Sequence, residues 1–254
     1  MKGFTVCIPA RYGSTRLPGK PLRKIAGKEL ILWAVESAAA LQPDDLVVAT
    51  DDERIQVCVE KAGHQAVMTS SEHATGTDRL AECAEIMQWK DEVIVLNYQG
   101  DEPMIPRMNL QIVIEALQNN KEASIATLYQ PIETVEQLLN PNVVKVVTDK
   151  FSRALYFSRA PIPWQQGQKA LDAEQWQLGL DMPYKRHVGL YAYTVAFLRE
   201  FGSHDMDAVE QLESLEQLRA LRMGHQIMAM PAAQPMPPGI DTEDDLKAFA
   251  AQLK

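Results

Sequence analysis

Cysteine is scarce in this sequence, with three residues among 254. Cys7, Cys58 and Cys83 are odd in number and lack the close spacing of a metal site, so the sequence does not indicate a disulfide framework or a cysteine-ligated metal. We interpret all three as buried thiols, one in a predicted strand and two in predicted helices.

Long apolar runs are also absent. No stretch approaches the ~20 apolar residues of a membrane span, and no basic segment followed by an apolar leader opens the chain. The formal net charge is -9, and no basic face beyond the first loop is visible, which argues against a nucleic-acid partner. We expect a cytoplasmic protein with neither a nucleic acid nor a membrane as partner.

Acidic residues are missing from the first 28 positions, which hold seven Lys or Arg. The apolar run Phe4–Ile8 predicts a buried strand, and the Pro- and Gly-rich residues 9–21 predict a loop at its carboxyl end. A local reversal of charge favours an anionic partner, although a solvated basic loop is the alternative. A polyphosphate would be bound by the exposed backbone N–H groups of Gly13, Ser14 and Gly19. The cationic side chains of Arg11, Arg16 and Lys20 would supply the positive charge.

Several common nucleotide motifs are absent. A P-loop would need Gly at position 14 and Ser or Thr at position 21, where this chain has Ser14 and Pro21. Any metal ion is therefore expected to be held from elsewhere. No G-x-G-x-x-G follows a predicted strand, which disfavours a dehydrogenase, and no G-x-S-x-G elbow is present.

Apolar strands alternate with helices over the first half of the chain. Such alternation predicts an α/β fold with a parallel sheet that is covered on both faces. Strands are predicted at residues 4–8, 46–50, 66–69, 93–97 and 124–128, and helices at 31–41, 52–62, 77–89 and 108–117. Ligands in such sheets bind beyond the carboxyl ends of the strands, where the loops 9–21, 51–52, 69–79 and 97–105 fall.

The pattern changes beyond about residue 130. Residues 143–148 and 154–157 predict a hairpin, and residues 161–183 are irregular, so we expect an inserted lobe over approximately 130–190 within a single domain of residues 1–254. A strand at 187–193, helices at 194–201 and 214–223 and a strand at 226–230 follow. Thr242 is expected to cap a closing helix, with Asp245 as the acid of a capping box.

Two aspartates are candidate metal ligands. Asp101 lies in the segment 97–103, which comes directly after the strongest predicted strand, and Gly100 allows the bend that would aim its carboxylate into the cleft. Magnesium usually takes one or two protein carboxylates, but a role as a turn cap is equally compatible with the spacing. Asp241 taken alone is better explained as a partner of the dipole of the closing helix.

Residues 8–22 read IPARYGSTRLPGKPL, and this run resembles the signature loop of the sugar-activating cytidylyltransferases, most closely the 3-deoxy-manno-octulosonate (Kdo) cytidylyltransferase family. Further resemblances lie at residues 73–79, 97–103, 158–163, 185–191, 213–219 and 239–242. The resemblance implies a Rossmann-like sheet of the nucleotide-diphospho-sugar transferase type with a smaller dimerisation lobe. It also implies the conversion of CTP and Kdo to CMP-Kdo and diphosphate, with Mg²⁺ as cofactor, and a homodimer.

Site residues are implied by the same resemblance. Asp101 and Asp241 would be the metal ligands and, with Arg16 and Lys20, the catalytic residues. The implied nucleotide contacts are Ala10, Arg11, Ser14, Arg16, Lys20, Thr75, Gly76, Thr77, Arg79 and Asp101. The implied sugar contacts are Gln99, Arg159, His187, Tyr191, Glu216 and Gln217. Taken alone, the segment 73–79 also fits a helix N-terminus capped by Thr77 or Asp78, and a single His in a strand is more often a core residue.

The chain departs from the family's pattern at several positions. Glu29, Trp33, Thr75 and Ile240 differ from the common residues, and Trp164-Gln165-Gln166 replaces the frequent W-D-R, which removes one candidate arginine contact. The alternatives are therefore a cytidylyltransferase for 8-amino-Kdo or for another acidic sugar such as sialic acid, and a non-catalytic nucleotide-binding module.

Overall fold

The structure is a computed structural model that describes residues 3–13, 17–73, 75–167 and 184–253. Its strands are β1 (Phe4–Ala10), β2 (Lys24–Ile25), β3 (Lys28–Glu29), β4 (Asp45–Thr50), β5 (Gln65–Met68), β6 (Ile94–Asn97), β7 (Ala123–Pro131), β8 (Lys145–Thr148), β9 (Ala154–Ser158), β10 (Lys185–Thr194) and β11 (Gln226–Pro231). Its helices are α1 (Leu30–Ala39), α2 (Glu53–Lys61), α3 (Gly76–Ile86), α4 (Arg107–Asn119), α5 (Val135–Leu139), α6 (Val195–Gly202), α7 (Ala208–Glu213), α8 (Gln217–Arg222) and α9 (Glu243–Gln252). A 3-10 turn covers Lys20–Leu22.

The main sheet has the strand order β11-β7-β10-β6-β1-β4-β5. β1 pairs in parallel with β4 and β6, β4 with β5, and β7 with β11. The predicted mostly parallel α/β fold is confirmed. β10 is the exception, because it runs antiparallel to both β6 and β7. Tyr191 lies opposite Asn97, the last residue of β6, so the first half of β10 extends past the carboxyl end of β6.

Both faces of the sheet are covered, as the apolar strands predict. In β1, Val6 and Ile8 pack in the layer that α1, α2 and α4 cover, while Cys7 points into the layer of α3, α6 and α8. Cys7 and Cys83 are buried, and burial raises the pKa of the Cys7 thiol. Cys58 is only half-buried, so the interpretation of three buried thiols is correct for two of them.

The predicted hairpin is present as β8 and β9, which pair antiparallel. It joins the main sheet where Lys145 of β8 pairs with Arg186 of β10. Most of the irregular stretch 161–183 lies outside the described residues, and a separate lobe over 130–190 stays a prediction. The small hairpin β2–β3 and the short helices α5 and α7 were not predicted. No helix in the part of the chain that the structure describes has the length and apolar character needed to cross a membrane.

Two helix starts show how the sequence sets local structure. Thr242 and Asp245 form the predicted capping box of α9. Helix α3 has the same motif, but its cap is Thr75, whose hydroxyl accepts from the backbone N–H of Asp78 at 3.2 Å while the Asp78 carboxylate accepts from the Thr75 backbone. The prediction of a capped helix N-terminus is therefore correct, but the cap residue is Thr75 and not Thr77 or Asp78. Thr75 lies before the first turn in extended conformation, which a cap residue requires.

Candidate active site

Two adjoining cavities open beyond the carboxyl ends of β1 and β6. The first cavity, of about 500 Å³, lies between the basic loop, the start of α3 and the two predicted metal ligands; its lining includes Ala10, Arg11, Lys20, Thr75, Gly76, Arg79, Gln99, Asp101 and Asp241. The second cavity, of about 600 Å³, has in its lining His187, Tyr191, Glu210, Glu216 and Gln217. Thr75, Asn97, Gln99 and Glu216 line both cavities. Adjacent cavities of this size suit two reactants that meet at a shared boundary.

Lys20 lies between the two aspartates. Its Nζ atom is 2.5 Å from Oδ2 of Asp101 and 2.9 Å from Oδ1 of Asp241. Partial burial would lower the pKa of Lys20, but hydrogen bonds with Asp101 and Asp241 outweigh that effect and raise it. The sequence prediction that these two carboxylates converge opposite the basic loop is therefore confirmed in geometry.

Backbone geometry brings these three residues together. Gly19 has a φ of 66°, and a Cβ atom there would lie 3.0 Å from the Tyr12 ring, so this turn into Lys20–Leu22 favours glycine. A Cβ on Gly100 would lie 3.1 Å from Ile31 Cδ1 and 3.4 Å from the Pro9 carbonyl oxygen. The bend that aims Asp101 into the cleft thus leaves no space for a side chain at the preceding position.

Asp241 is fixed by its own neighbours. Ile240 is buried with Leu246 and Phe249 of α9, and its backbone N–H donates to the carbonyl oxygen of Asp101 at 3.0 Å. The Asp241 N–H donates to Oδ2 of Asp245 at 3.0 Å. The capping box of α9 therefore also holds the second aspartate in place.

Glu102 is a half-buried acid beside the two aspartates, and the motifs of the sequence do not single it out. Burial, together with the negative charges of Asp101 and Asp241, raises the pKa of Glu102 to about 7. Its only signal in the sequence is its position directly after Asp101. It also lines a third cavity of about 350 Å³, which shares His187 and Gly189 with the second cavity.

The basic loop is only partly as expected. Arg11 is exposed at the first cavity, whereas Ser14 and Arg16 lie outside the described residues. The backbone N–H of Gly19 donates to the Tyr12 carbonyl oxygen at 3.3 Å, so the expectation of a free donor at Gly19 is wrong. The left-handed turn directs this N–H inward, which the spacing of Gly residues does not reveal.

Arg79 and Thr77 differ in how they face the first cavity. Arg79 lines it, but its guanidinium donates to Thr69 Oγ1 at 2.5 Å and to Asp51 Oδ2 at 2.7 Å. Thr77 is buried, does not line this cavity, and has its hydroxyl 3.4 Å from the hydroxyl of Tyr193. In this structure, therefore, both residues have protein partners.

His187 has a defined tautomer in the second cavity. The Thr127 hydroxyl donates to the Val188 carbonyl at 2.9 Å, so it accepts from Nε2 of His187 at 3.0 Å. Nδ1 is then an unprotonated acceptor. Burial lowers the pKa of His187 to about 3, so this neutral form persists at neutral pH.

Aromatic packing supports the same wall. The Tyr191 ring lies 5.3 Å from the His187 ring and stacks on Tyr193 at 5.6 Å, centroid to centroid. Burial raises the pKa of Tyr191 well above its usual value. Tyr191 therefore presents a neutral hydroxyl, which can donate one hydrogen bond as well as accept.

Two buried polar atoms in the second cavity have no partner within the described residues. They are Oε2 of Glu216 and Nε2 of Gln217. Burial raises the pKa of Glu216, and hydrogen bonds with Thr77 and Thr75 oppose that rise. Buried polar groups are nearly always hydrogen-bonded, so one acceptor and one donor without partners, on two neighbouring residues that line this cavity, favour a polar ligand there.

Arg159 is placed differently from the other predicted sugar contacts. It does not line the second cavity. Its guanidinium donates to the carbonyl oxygens of Glu213 at 2.6 Å and Pro141 at 3.0 Å, and its backbone N–H to the Glu213 carboxylate at 2.9 Å. In this structure Arg159 anchors the segment before Glu216, and its direct contact with a sugar stays a prediction.

The donor set fits a magnesium ion. Across the described ranges, no three His, Cys, Asp or Glu side chains gather as a metal cluster. Asp101 and Asp241 nevertheless offer two hard oxygen ligands on one side of the first cavity, and magnesium commonly takes one or two protein carboxylates, with water and phosphate oxygens as its other ligands. The residues present therefore suit a metal that arrives with a phosphorylated substrate.

Comparisons with known proteins cover almost the whole chain. The cytidylyltransferase family model matches residues 5–227. A protein of Methylococcus capsulatus named 3-deoxy-manno-octulosonate cytidylyltransferase is 47% identical over 98% of this chain and 96% of its own length. One of the same name from Pseudomonas fluorescens is 49% identical over 99% of this chain and 98% of its own.

Solved structures agree with these matches. A CMP:2-keto-3-deoxy-manno-octonic acid synthetase in complex with CTP superposes with a TM-score of 0.85 at 37% identity and covers 98% of both chains. A cytidylyltransferase from Leptospira borgpetersenii superposes with a TM-score of 0.60 at 15% identity over 99% of this chain and 86% of its own. The second likeness shows the fold alone.

Proposed function

Because this chain belongs to the cytidylyltransferase family, we propose that it couples CTP to Kdo and releases CMP-Kdo and diphosphate. The observation that carries this proposal is the full-length likeness to relatives named for that activity, together with the convergence of Asp101, Asp241 and Lys20 on one cavity. In the reaction, a hydroxyl group of the sugar loses its proton to the solvent, and its oxygen bonds to the α-phosphorus of CTP. The bond from that phosphorus to the bridging oxygen breaks, and diphosphate leaves with the electron pair.

The first cavity would take the nucleotide. Arg11 and Lys20 would place positive charge beside the phosphate chain. Positioning and electrostatic stabilisation account for most of the rate in phosphoryl transfer. Thr75 and Gly76, at the N-terminus of α3, would contact the nucleoside end. Arg16 and Ser14 are proposed members of the same loop.

Asp101 and Asp241 are the proposed ligands of a magnesium ion. Such an ion, when bound, stabilises charge that develops on phosphate oxygens. Lys20 bonds to both carboxylates in this structure, and its ammonium would be free to turn toward phosphate oxygens once those carboxylates have another cation to bind. The chain itself therefore supplies two anionic ligands and one mobile cation at the reacting phosphate.

The second cavity would take the sugar. Gln99 lines both cavities, and the neutral His187 and Tyr191 and the unpartnered atoms of Glu216 and Gln217 offer donors and acceptors for hydroxyl groups. These residues suit a polyhydroxylated acid. Its reacting end would lie at the boundary that the two cavities share. The residue types do not by themselves separate Kdo from 8-amino-Kdo or sialic acid.

A homodimer and a cytoplasmic location are also proposed. The hairpin β8–β9 exposes Phe151 and Leu155, each 60% accessible, and Tyr156. Exposed apolar side chains grouped on one hairpin are typical of an interface. The cytoplasmic location rests on the substrate CTP, an intracellular nucleotide.

The test is an assay of diphosphate release with purified protein and magnesium. CTP and UTP are compared as nucleotides, and Kdo, its 8-amino analogue and neuraminate as sugars. We expect turnover with CTP and Kdo, and at least tenfold lower kcat/KM for each other combination. Preference for another sugar would replace Kdo, while nucleotide binding without turnover would favour a non-catalytic module.

A further inference from the structure

Arg219 is a buried cation for which the proposed chemistry has no use. It lies in the segment 213–219 that carries Glu216 and Gln217, it is 5% exposed, and it lines neither the first nor the second cavity. Its guanidinium forms a two-pronged ion pair with Glu210, with Nε 2.8 Å from Oε2 and Nη2 2.9 Å from Oε1. Glu210 is itself 2% exposed and lines the second cavity.

The third nitrogen of Arg219 lies near Asp78, the acid of the α3 capping box. Nη1 donates to the His204 carbonyl at 2.8 Å and lies 3.9 Å from Oδ1 of Asp78. The other oxygen of Asp78 accepts from the backbone N–H of Thr75 at 3.1 Å and from its hydroxyl at 2.9 Å. Thr75 is the α3 cap that lines both cavities. The Arg219 guanidinium therefore links Glu210, in the wall of the second cavity, to Asp78, which hydrogen-bonds to Thr75 at the first cavity.

Geometry restricts this position to arginine. The carbon of the guanidinium lies 3.8 Å from the centroid of the Phe201 ring, so one face is stacked. Its edges hydrogen-bond to Glu210 and to the His204 carbonyl, and Nη1 lies 3.9 Å from the Asp78 carboxylate. A lysine has a single nitrogen and cannot make the fork, the carbonyl contact and the stacking together. Burial of this ion pair carries a desolvation cost, which is offset only when the two groups keep a well-defined geometry.

We propose that Arg219 is a positioning residue that couples the sugar cavity to the nucleotide-binding turn. Nucleotide contacts at Thr75 would fix Asp78, and through Arg219 would fix Glu210 and the segment that carries Glu216 and Gln217. Each substrate would then bind more tightly when the other is present. This inference rests on the proposed function, since it assigns the two cavities to a nucleotide and an acidic sugar.

The experiment compares Arg219→Lys with Arg222→Lys. Arg222 lies one turn further along α8, is 60% exposed in its side chain and pairs with Asp207, the cap of α7, so this control alters a second contact between α7 and α8 outside both cavities. Isothermal titration calorimetry measures the affinity for Kdo with and without saturating α,β-methylene-CTP, an analogue whose α–β bond is not cleaved. The ratio of the two dissociation constants is the coupling factor.

In the wild type and in Arg222→Lys we expect a coupling factor of about fivefold or more. In Arg219→Lys it should fall to near one, with a loss in Kdo affinity that is larger when the nucleotide analogue is bound. A coupling factor near one in the wild type, or an unchanged factor in Arg219→Lys, would overturn the proposal. A merely structural role would weaken both affinities and leave their ratio unaltered.

A second variant keeps the inference testable if Arg219→Lys does not fold. Asp78→Asn retains an amide oxygen that can accept from Thr75 but removes the charge that faces Arg219, so it should lower the coupling factor with little change in the nucleotide affinity. The outcomes also separate this inference from the proposed function. If the wild type binds no Kdo in either condition, the proposed function itself fails; if it binds Kdo without coupling, only the role of Arg219 fails.

Discussion

The backbone N–H of Ile240 donates to the carbonyl oxygen of Asp101 at 3.0 Å. This hydrogen bond joins the segment before α9 to the loop after β6, and it sets the next side chain, Asp241, beside the Asp101 carboxylate. Since Ile240 is 3% exposed, the contact is shielded from water. The two acids are thus brought together by backbone pairing and apolar packing, before any ion is bound.

Substitution of either aspartate tests the paired carboxylates. Asp101→Asn and Asp241→Asn each keep the side-chain shape but lose a charge. We expect kcat to fall by roughly 100-fold or more, because metal stabilisation of transition-state charge is worth several kcal/mol and each 1.36 kcal/mol is a factor of ten. Diphosphate release across a magnesium titration is the measurement, and half-saturation should move to a higher magnesium concentration.

Asp244→Asn is the matched control for these variants. Asp244 lies in the first turn of α9 with 90% of its side chain exposed, and it pairs only on the surface, with Lys247. Its variant should keep wild-type turnover. Near-normal turnover of Asp101→Asn at saturating magnesium would remove Asp101 from the mechanism.

The buried His187 predicts a specific dependence of stability on pH. Its pKa is lowered from 6.5 to about 3 in the folded protein, so below pH 6.5 the unfolded chain takes up a proton that the folded chain refuses. Its contribution to stability is complete above pH 6.5 and is lost as the pH falls toward 3. The free energy of unfolding, measured with urea, should fall between about pH 7 and about pH 5. In His187→Gln this fall should be smaller by roughly 2 kcal/mol.

His204→Gln provides the comparison for this pH experiment. His204 is exposed just after α6, and its Nδ1 atom hydrogen-bonds with the carbonyl oxygen of Glu200 and with the hydroxyl of Ser203. Its variant should show the same pH-dependent loss as the wild type. Equal losses in the wild type and His187→Gln would contradict the neutral buried imidazole.

The hydroxyl of Thr127 should matter through His187. Thr127→Val preserves the shape but leaves Nε2–H of His187 and the Val188 carbonyl without their partner, which costs about 1–3 kcal/mol of unfolding free energy for a buried group. We expect a several-fold rise in KM for the sugar and an unchanged KM for CTP. Thr127→Ser keeps the hydroxyl and should restore the sugar KM; failure of Ser to do so would point to packing of the methyl group instead.

The exposed hairpin predicts an effect on assembly. Leu155→Glu places a charge on the proposed interface, and we expect a shift from dimer to monomer in sedimentation velocity. Leu212→Glu is the control, because Leu212 is 85% exposed and lies on α7, outside the hairpin β8–β9. A wild-type chain that sediments as a monomer, or a dimer that both variants leave intact, would exclude this interface.

The sequence predicts much of this fold because local patterns agree with the tertiary structure. Apolar runs such as Phe4–Ile8 and alternating helices identify most elements, and the capping box at Thr242 and Asp245 is visible from spacing alone. The antiparallel direction of β10 is not visible, because strand direction depends on pairing with β6 and β7, which are distant in sequence. The position of the α3 cap was wrong because several capping residues adjoin between Thr75 and Asp78.

For the candidate site, the sequence predicts which residues are present better than it predicts what those residues contact. The convergence of Asp101 and Asp241 follows from the resemblance to a family and is confirmed by distance. The inward N–H of Gly19 and the carbonyl contacts of Arg159 depend on turn geometry and on side-chain rotamers, which spacing does not encode. Glu102 was missed because its raised pKa arises mainly from burial, with the charges of the adjacent Asp101 and of Asp241, and only folding buries it and brings Asp241 near.

The reversed strand β10 has a consequence for how the molecule is assembled. It is the only link in the described sheet path between β6, with the strands beyond it, and the pair β7 and β11. During synthesis, the first strands to emerge are β1, β4, β5 and β6, which can pair with one another. β7 has no pairing partner in this sheet until β10, which begins at Lys185, has left the ribosome. A chain that stops before β10 would therefore hold a nucleotide-side half-sheet with an open edge and no second cavity.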